Sequence, residues 1–363
     1  MPLNRHHRQH GLTLVELLVA VTLGALILAT VVGVFIANSH NYKQNEAITS
    51  LQDNARFAMD SLARDLSMAG YWGGVRTLDA GRNVLVSAAA AGAISTTAVP
   101  GDCGPSTPPT VGSWLLNPAV PLEFRNHTET ATATGRYRCL TALQPMTDVV
   151  MIRRVAGQPA RQIASAGSAT LNLITGRLYL KTNQSVGSLI RAGADSATVG
   201  QPLDCADPST GIATGCPPQD LPAQLYAYVP SLYFIHNVSA DVSVPTLCRY
   251  LLRDDDTGRA PAMEEDCLAE GVENLQLEWG IDGDDDNTID RYLSNPSAAD
   301  LLQARSVRIH LLVRAADPGG AASADAREYT LADYQSAADR DFARSGLLRR
   351  AFSSTVQIKN YIQ

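Results

Sequence analysis

Hydrophobic and polar positions change their pattern along the first 75 residues. Leu17 to Ala37 form a run of 21 residues without a charged side chain. As a helix this run would span about 30 Å, the hydrocarbon thickness of a bilayer. Apolar residues then recur at steps of three and four, the spacing of an amphipathic helix. The pattern predicts one helix that crosses a membrane over 12–37 and packs on a folded unit over 38–70. Two helices with a break near Asn38–Asn41 are the alternative.

Seven apolar residues form the predicted buried stripe of the second half: Ile48, Leu51, Ala55, Ala58, Leu62, Leu66 and Ala69. The charged residues Arg56, Asp60, Arg64 and Asp65 are predicted to lie off this stripe. Gly70, Gly73 and Gly74 follow and are predicted to end the helix, because glycine is a poor helix former.

The remainder, residues 71–363, is predicted to be a β-rich head. Residues 86–118 are rich in Ala, Gly, Ser, Thr and Pro, which indicates loops. Strand patterns follow at 149–155, 171–182, 223–237, 246–254, 273–282, 306–315 and 354–360. We expect a hairpin turn at Thr175-Gly176 and two strands that meet at Pro230. Most strands alternate in polarity, which indicates antiparallel strands with one face on a core. The predicted fold class is therefore α+β, a long N-terminal helix packed on a largely antiparallel β head with long loops.

Charge and cysteine content indicate the compartment. The formal net charge of −7 argues against nucleic acid as a partner, because phosphate binding needs a basic patch. Arg5 and Arg8 precede the apolar run, and basic residues at this position hold the N-terminus in the cytoplasm. The head would then lie in the periplasm, where the six cysteines are able to form disulfides. We predict a single-pass inner-membrane protein.

Glu16 distinguishes three interpretations of the N-terminal segment. A cleaved secretory signal needs a shorter apolar core and a small-residue cleavage site, and nothing after Ala37 supplies a clean one. An ordinary signal anchor gives no reason for a carboxylate at the edge of the membrane, which costs a few kcal/mol unless it snorkels to the surface. The third interpretation gives Glu16 a function.

The stretch Gly11-Leu-Thr-Leu-Val-Glu16, after a short basic leader, resembles the class III signal of type IV pilins and pseudopilins. In that family a prepilin peptidase cuts after the glycine and N-methylates the new first residue. The resemblance implies a leader of residues 1–11, cleavage between Gly11 and Leu12, and methylation of Leu12. Most family members have Phe at this first position, so Leu12 is a departure.

The resemblance also implies a role for Glu16 in assembly. Glu16 would pair with the positive N-terminal amine of a neighbouring subunit, because a buried charge needs a partner. A polar group in a packed helix seam sets register. Snorkelling near the membrane edge is the alternative.

The C-terminal segments GVENLQLEWGID, VRIHLLVRA and RRAFSSTVQIKN resemble PilW-type minor pilins of type IV pili. The resemblance covers 11–75 and 271–363, whereas 86–270 is interpreted from pattern alone. It implies a minor pilin that primes or joins pilus assembly in a tip complex and ends at the cell surface. The implied partners are other minor pilins, the major pilin, the prepilin peptidase and a tip adhesin.

Two other functions compete with this one. A minor pseudopilin of a type II secretion system would share the N-terminus and the mechanism. A membrane-anchored binding module with a calcium-dependent head would belong to a different class. An enzyme is not expected, because the sequence lacks HExxH, GxSxG, P-loop and GxGxxG motifs.

The calcium hypothesis rests on an acidic loop, 282–292. Asp282, Asp284, Asp286 and Asp290 occupy positions one, three, five and nine of a calcium loop, where oxygen ligands converge. The loop departs from that pattern at Asn287, where glycine makes the turn, and at Leu293, where a bidentate Glu binds. A solvated turn is the alternative, and no cofactor is certain from the sequence.

The cysteines allow 15 disulfide patterns. Closing short loops in sequence order gives the pairs Cys103–Cys139, Cys205–Cys216 and Cys248–Cys267.

Overall fold

The computed structural model describes residues 13–75, 99, 102–104, 114–117, 120–127, 137–163, 173–174, 176–182, 187–191, 204–206, 213–215, 223–237, 244–253, 261–315, 327–335 and 347–360. A single α-helix, α1 (Leu14–Ser67, 54 residues), dominates the N-terminal part. It is about 80 Å long at 1.5 Å per residue. The helix continues through Asn38–Asn41, so the alternative of two helices is wrong.

The two halves of α1 have different surroundings. In the first half the large apolar residues are between 49% and 78% exposed, from Leu14 to Ile36. The helix contains an 18-residue window with a mean hydropathy of 2.7 and no buried residue. In the second half the predicted stripe is confirmed, because Leu51, Ala55, Ala58, Leu62, Leu66 and Ala69 are buried and Ile48 is half-buried.

The head contains sixteen described strands. In chain order they are β1 (Leu122–Arg125), β2 (Val149–Val155), β3 (Arg161–Ile163), β4 (Leu178–Thr182), β5 (Gly187–Arg191), β6 (Asp204–Ala206), β7 (Ala213–Gly215), β8 (Ala223–His236), β9 (Thr246–Arg253), β10 (Ala262–Glu270), β11 (Val272–Ile281), β12 (Arg291–Leu293), β13 (Ala304–Arg314), β14 (Thr330–Leu331), β15 (Tyr334–Gln335) and β16 (Arg349–Gln357). A 3₁₀ turn, Trp114–Leu116, and a short helix, α2 (Ala298–Leu302), complete the described elements.

Two antiparallel sheets make up the core of the head. The larger sheet has eight strands, with β8 central and paired to β2, β3, β4 and β9. The smaller sheet has four strands in the order β12-β11-β13-β16. Strand pairs β6–β7 and β14–β15 form separate two-stranded ribbons. The α+β fold class is confirmed.

Strand β8 is continuous through Pro230, so the prediction of two strands meeting there is wrong. One edge of β8 pairs with β4 as far as Ala227 and with β9 only from Ser231. Pro230 lies in the gap between these two partners. Proline has no N–H to donate, and the gap on that edge makes the missing donor harmless.

For the hairpin predicted at Thr175-Gly176, the structure shows the turn hydrogen bond, from the Arg177 N–H to the Ile174 carbonyl at 3.2 Å, but no strand before it among the described residues. Leu173 and Ile174 are not in a strand, and Thr175 lies outside the described residues. The hairpin forms later, where β4 pairs with β5 from Leu178↔Arg191 to Thr182↔Gly187. Gly176, with φ of +89°, belongs to the approach to β4.

The larger sheet buries both of its faces, whereas the sequence predicted one. Val150 and Ile152 of β2 face a core shared with α1 and the smaller sheet. Val149 and Met151 face a second core that contains Trp72, Trp114 and Tyr137. The second core explains why the first four residues of β2, 149–152, are all apolar, because a strand covered on both sides has no polar face.

Strand β11 also departs from the expected exposed polar face. Asn274 and Gln276 are buried, and their side-chain amides donate to the Met146 carbonyl at 2.9 and 3.0 Å. The segment before β2 covers this side of β11. These polar residues are therefore interior groups with hydrogen-bond partners rather than solvent-facing ones.

Candidate assembly site

The structure describes the chain from Thr13 onward, so the predicted cleavage residues Gly11 and Leu12 lie outside the described residues. Glu16, the third predicted site residue, lies in the first turn of α1. Its side chain is exposed and belongs to the apolar half of the helix that makes no contact with the head.

Glu16 closes a capping box with Thr13. Its Oε2 accepts from the Thr13 N–H at 3.3 Å and from the Thr13 hydroxyl at 3.2 Å. The Glu16 N–H donates to the Thr13 Oγ1 at 3.3 Å. This reciprocal arrangement satisfies donors that a helix N-terminus leaves unpaired. The sequence contains its signature, Thr-x-x-Glu before an apolar run, which the sequence interpretation missed.

A buried ion cluster joins the far end of α1 to the head, although Asp65 was predicted to lie off the buried stripe. Arg154 of β2 donates to Asp65 Oδ1 at 2.6 Å through Nη2. The Tyr233 hydroxyl of β8 donates to Asp65 Oδ2 at 2.7 Å. Asp65 is 3% exposed. The prediction failed because the long side chains of Arg154 and Tyr233 reach Asp65 and give its carboxylate hydrogen-bond partners inside the core. A buried carboxylate is stable when it has such partners.

Two more residues extend this cluster across the sheet. Arg249 of β9 lies 3.9 Å from Asp65 Oδ2 and donates to Asp266 of β10 at 3.1 Å. Burial raises the pKa of the Tyr233 phenol, so Tyr233 remains a proton donor to the carboxylate. We name Asp65, Arg154, Tyr233, Arg249 and Asp266 the helix clasp. It connects α1 to four strands, β2, β8, β9 and β10.

The acidic loop gathers three of its four predicted calcium ligands. Carboxylate oxygens of Asp282, Asp284 and Asp290 all lie within 4.8 Å of one another. Asp286 is outside this group, and its Oδ1 accepts from the Thr288 N–H at 2.6 Å. Asn287 has φ of +66°, so it makes the turn for which calcium loops use glycine.

The same loop already satisfies much of its charge. Asp282 is buried and accepts from the Asp286 and Asn287 N–H groups at 3.2 and 3.0 Å. The Arg305 guanidinium lies 3.4 Å from Asp282 and also pairs with Asp285. A cation entering this loop would compete with Arg305.

Two disulfides agree with the predicted pairing. Cys103 is bonded to Cys139, and Cys248 is bonded to Cys267. Cys248 and Cys267 are directly opposite each other on β9 and β10. The predicted pair Cys205–Cys216 lies outside the residues whose side chains the structure describes.

Three of the described histidines have carboxylate neighbours. His236 lies 3.7 Å from Glu265. His310 lies 3.0 Å from Glu278 and 2.9 Å from the Ser353 hydroxyl, so both of its ring nitrogens have partners. His127 lies between Asp148 and Asp333, at 3.7 and 3.6 Å. Sequence gave no signal for this cluster, because its members are 21 and 206 residues away from His127.

Two segments of the chain match described families. Residues 6–32 match the prokaryotic N-terminal methylation motif, and residues 232–360 match PilW, the type IV pilus-assembly protein W. Over these two segments the chain is similar to type IV pilins of the PilW type. The matched C-terminal segment begins inside β8 and includes the smaller sheet.

Comparison with curated proteins found no match for this chain. Among solved structures, the type IV-like pilin TTHA1219 from Thermus thermophilus matches with 12% identity and a TM-score of 0.30. That match covers 86% of this chain and 98% of the Thermus protein. The similarity to PilW-type pilins is carried by the two sequence matches, at 6–32 and 232–360.

Proposed function

We propose that this protein is a minor pilin of the PilW type, which primes or joins the assembly of a type IV pilus in a tip complex. One observation carries the proposal: a methylation motif and a PilW segment occur in a single chain, at 6–32 and 232–360. Pilins are structural proteins, and the proposed role is structural.

The proposed mechanism begins with processing. Prepilin peptidase removes residues 1–11 by cutting between Gly11 and Leu12, and Leu12 is then N-methylated. The apolar half of α1 holds the subunit in the inner membrane with the head in the periplasm. Its exposed apolar side chains are covered by lipid before assembly and by neighbouring helices afterwards.

Glu16 then sets the register of helix packing. In the single subunit, its carboxylate accepts hydrogen bonds from Thr13. When helices pack, the positive N-terminal amine of a neighbouring subunit becomes a stronger partner, because ion-assisted hydrogen bonds exceed neutral ones. Helices that pack in another register leave the carboxylate without this partner, which is costly in an apolar seam.

The head directs the partners of the proposed complex. Repeated heads along a shaft must fit a narrow helical rise, and a head of nearly 300 residues suits a tip better. We propose other minor pilins, the major pilin and a tip adhesin as neighbours. The assembly energy must come from another protein, because the sequence carries no ATPase motif.

The first test is the intact mass and N-terminal sequence of the protein, purified from the membranes of its native host. We expect a chain that begins at N-methylated Leu12. A chain that retains Met1, in a host whose peptidase processes other pilins, would refute the assignment.

Deleting the gene for this protein distinguishes a role in a type IV pilus from the alternative role in a type II secretion system. Loss of surface pili and twitching, with secretion intact, supports the pilus. Loss of a secreted enzyme, with pili intact, supports a pseudopilin. Returning the gene to the deletion strain should restore the lost function, which excludes an effect of the deletion on neighbouring genes.

A second candidate function, calcium-dependent binding by the head, is favoured by the approach of Asp282, Asp284 and Asp290. The test is a thermal melt of the full chain in detergent, with chelator or with millimolar calcium. An increase in melting temperature that is absent from Asp284→Asn supports the site, since Asp284 is exposed. No increase in the wild-type chain removes it. Magnesium at the same concentration is the control for ionic strength.

A further inference from the structure

Asp333, at the tip of the β14–β15 hairpin, faces the buried His127 next to β1. Asp333 Oδ1 lies 3.6 Å from His127 Nδ1, and Asp148 Oδ1 lies 3.7 Å from the same nitrogen. The side chain of His127 is only 3% exposed and that of Asp148 only 1%, whereas that of Asp333 is 36% exposed. The His127 ring therefore lies between a buried carboxylate, Asp148, and a partly exposed one, Asp333. It connects the segment before β2 to the β14–β15 hairpin.

The hairpin is also held by contacts other than the pair of His127 and Asp333. Leu331 and Tyr334 pack on Leu312 of β13. Asn126 donates to Asp333 Oδ2 at 3.2 Å, and the ring of Tyr334 meets that of His127 edge-on at 6.0 Å. Tyr329, just before β14, donates to the Arg349 carbonyl at 2.9 Å. Leu331 and Tyr334 are themselves buried in this contact, so the charge interaction between His127 and Asp333 adds to an apolar contact. Hairpins of this kind are able to open locally without unfolding of the whole protein.

We propose that His127 is a proton-controlled latch, which holds the β14–β15 hairpin on the head more firmly when the ring is charged than when the ring is neutral. The charged ring attracts Asp333 directly. The neutral ring keeps its contact with Tyr334 but loses the attraction to the carboxylate. The proposal does not depend on the assignment to a pilus.

The charged groups that face the ring are Asp148, from the segment before β2, and Asp333, from the hairpin. The neutral amide of Gln276 faces it from β11. The neighbouring Asp148 carboxylate raises the pKa of His127 above 6.5, and Asp333 adds to this effect against the opposing effect of burial. A raised histidine pKa contributes stability that is complete below 6.5 and lost as the pH rises through the raised value. The hairpin is therefore expected to be held more firmly in acid and to open more readily near and above neutrality.

Asp148 titrates in a neighbouring range and must be separated from the latch. Burial raises the pKa of Asp148 to about 6. Its two oxygens accept from the backbone N–H groups of His127 and Leu277, at 2.9 and 2.7 Å, and from none in the hairpin. Amide exchange in β11 therefore reports on Asp148, whereas exchange in residues 327–335 reports on the latch.

The test is amide hydrogen exchange by mass spectrometry on the full chain in detergent, at about pH 5 and about pH 8, on either side of the histidine range. Each rate is divided by the intrinsic chemical rate at that pH. In the wild type we expect residues 327–335 to be better protected in acid, by about tenfold for each unit by which docking of Asp333 raises the His127 pKa. Equal protection at both pH values overturns the proposal.

Variants assign the effect to the latch. His127→Gln should show the same hairpin protection at both pH values, and Asp333→Asn should show a reduced difference while keeping an oxygen for Asn126. His310→Gln is the matched control, because His310 also pairs with a carboxylate but lies on β13, and it should retain the wild-type difference. If His127→Gln does not fold, the Asp333→Asn variant alone decides, and an undiminished difference there refutes the latch.

Discussion

Asp65 joins the long helix to the head through both oxygens of one carboxylate. Removing it leaves the guanidinium of Arg154 largely buried, at 13% exposure, without its counter-charge. A broken buried pair costs about 3–5 kcal/mol, far more than an exposed pair contributes. The cluster is therefore expected to decide whether the helix and head behave as one folding unit.

We predict that Asp65→Ala lowers the free energy of unfolding by about 3–5 kcal/mol. Asp65→Asn should lower it less, because the amide oxygen still accepts from Tyr233. The measurement is urea unfolding of the full chain in detergent, followed by tryptophan fluorescence. The matched control, Asp60→Ala, changes an exposed acid on the same helix and should stay within about 0.5 kcal/mol of the wild type. Equal losses in the two alanine variants would contradict the assignment.

Thr13 and Glu16 separate capping from assembly. Thr13→Ala removes the cap but keeps the carboxylate, and it should cost about 1 kcal/mol of helix stability. Glu16→Gln keeps a hydrogen-bonding side chain but removes the charge that is proposed to pair with a neighbouring N-terminus. We predict that Thr13→Ala supports near-normal piliation and that Glu16→Gln does not, as counted by electron microscopy of cells. Equal loss of pili in both would mean that the capping box is the important feature.

At the scale of single residues, sequence analysis identified those whose positions are defined by local spacing along the chain. Gly11, Leu12 and Glu16 stand at fixed separations, and the apolar stripe of α1 follows the helical period. Asp65 and Gln276 were misjudged because their partners, Arg154 and Met146, are distant in the chain. Periodicity shows which face a residue lies on, but not whether a distant side chain covers that face.

Among the strand elements, β10 is an edge strand protected by charge and by a covalent bond. Its described residues include Glu264, Glu265 and Asp266, and such charges discourage pairing with other chains. The Cys248–Cys267 disulfide fixes it to β9, and α1 packs against it. The sequence interpretation missed this strand, because its acidic pattern is atypical of a buried sheet.

We predict that replacing Cys248 and Cys267 by alanine lowers the free energy of unfolding by about 3 kcal/mol, the loop-entropy value for a closed loop of this size. The comparison is urea unfolding of the double variant and the wild type, with and without reductant. The remaining disulfides stay in both proteins, so the difference between them under oxidising conditions isolates this bond. No difference there would mean that the bond adds nothing to the hairpin.

On the scale of the whole molecule, the sequence predicted the class of fold but not its layering. An N-terminal helix against antiparallel strands follows from periodicity and turn residues. The second core follows from the segment after Gly70, where Trp72 and Val75 turn back over the larger sheet. No local sequence pattern indicates that this segment folds back over the sheet. The sheet, which is buried on both faces, was therefore predicted to have one face in solvent.

The molecule holds its head at one end of a rod. The head contacts α1 mainly from Leu51 onward, which leaves about 50 Å of helix, Leu14 to Glu46, as an unsupported arm. Any pull on the head is transmitted to this arm through the last turns of α1, where Asp65 is fastened. The helix clasp therefore bears mechanical load. The force at which its ion pairs and hydrogen bonds break sets the tension at which the second half of α1 separates from the strands of the head.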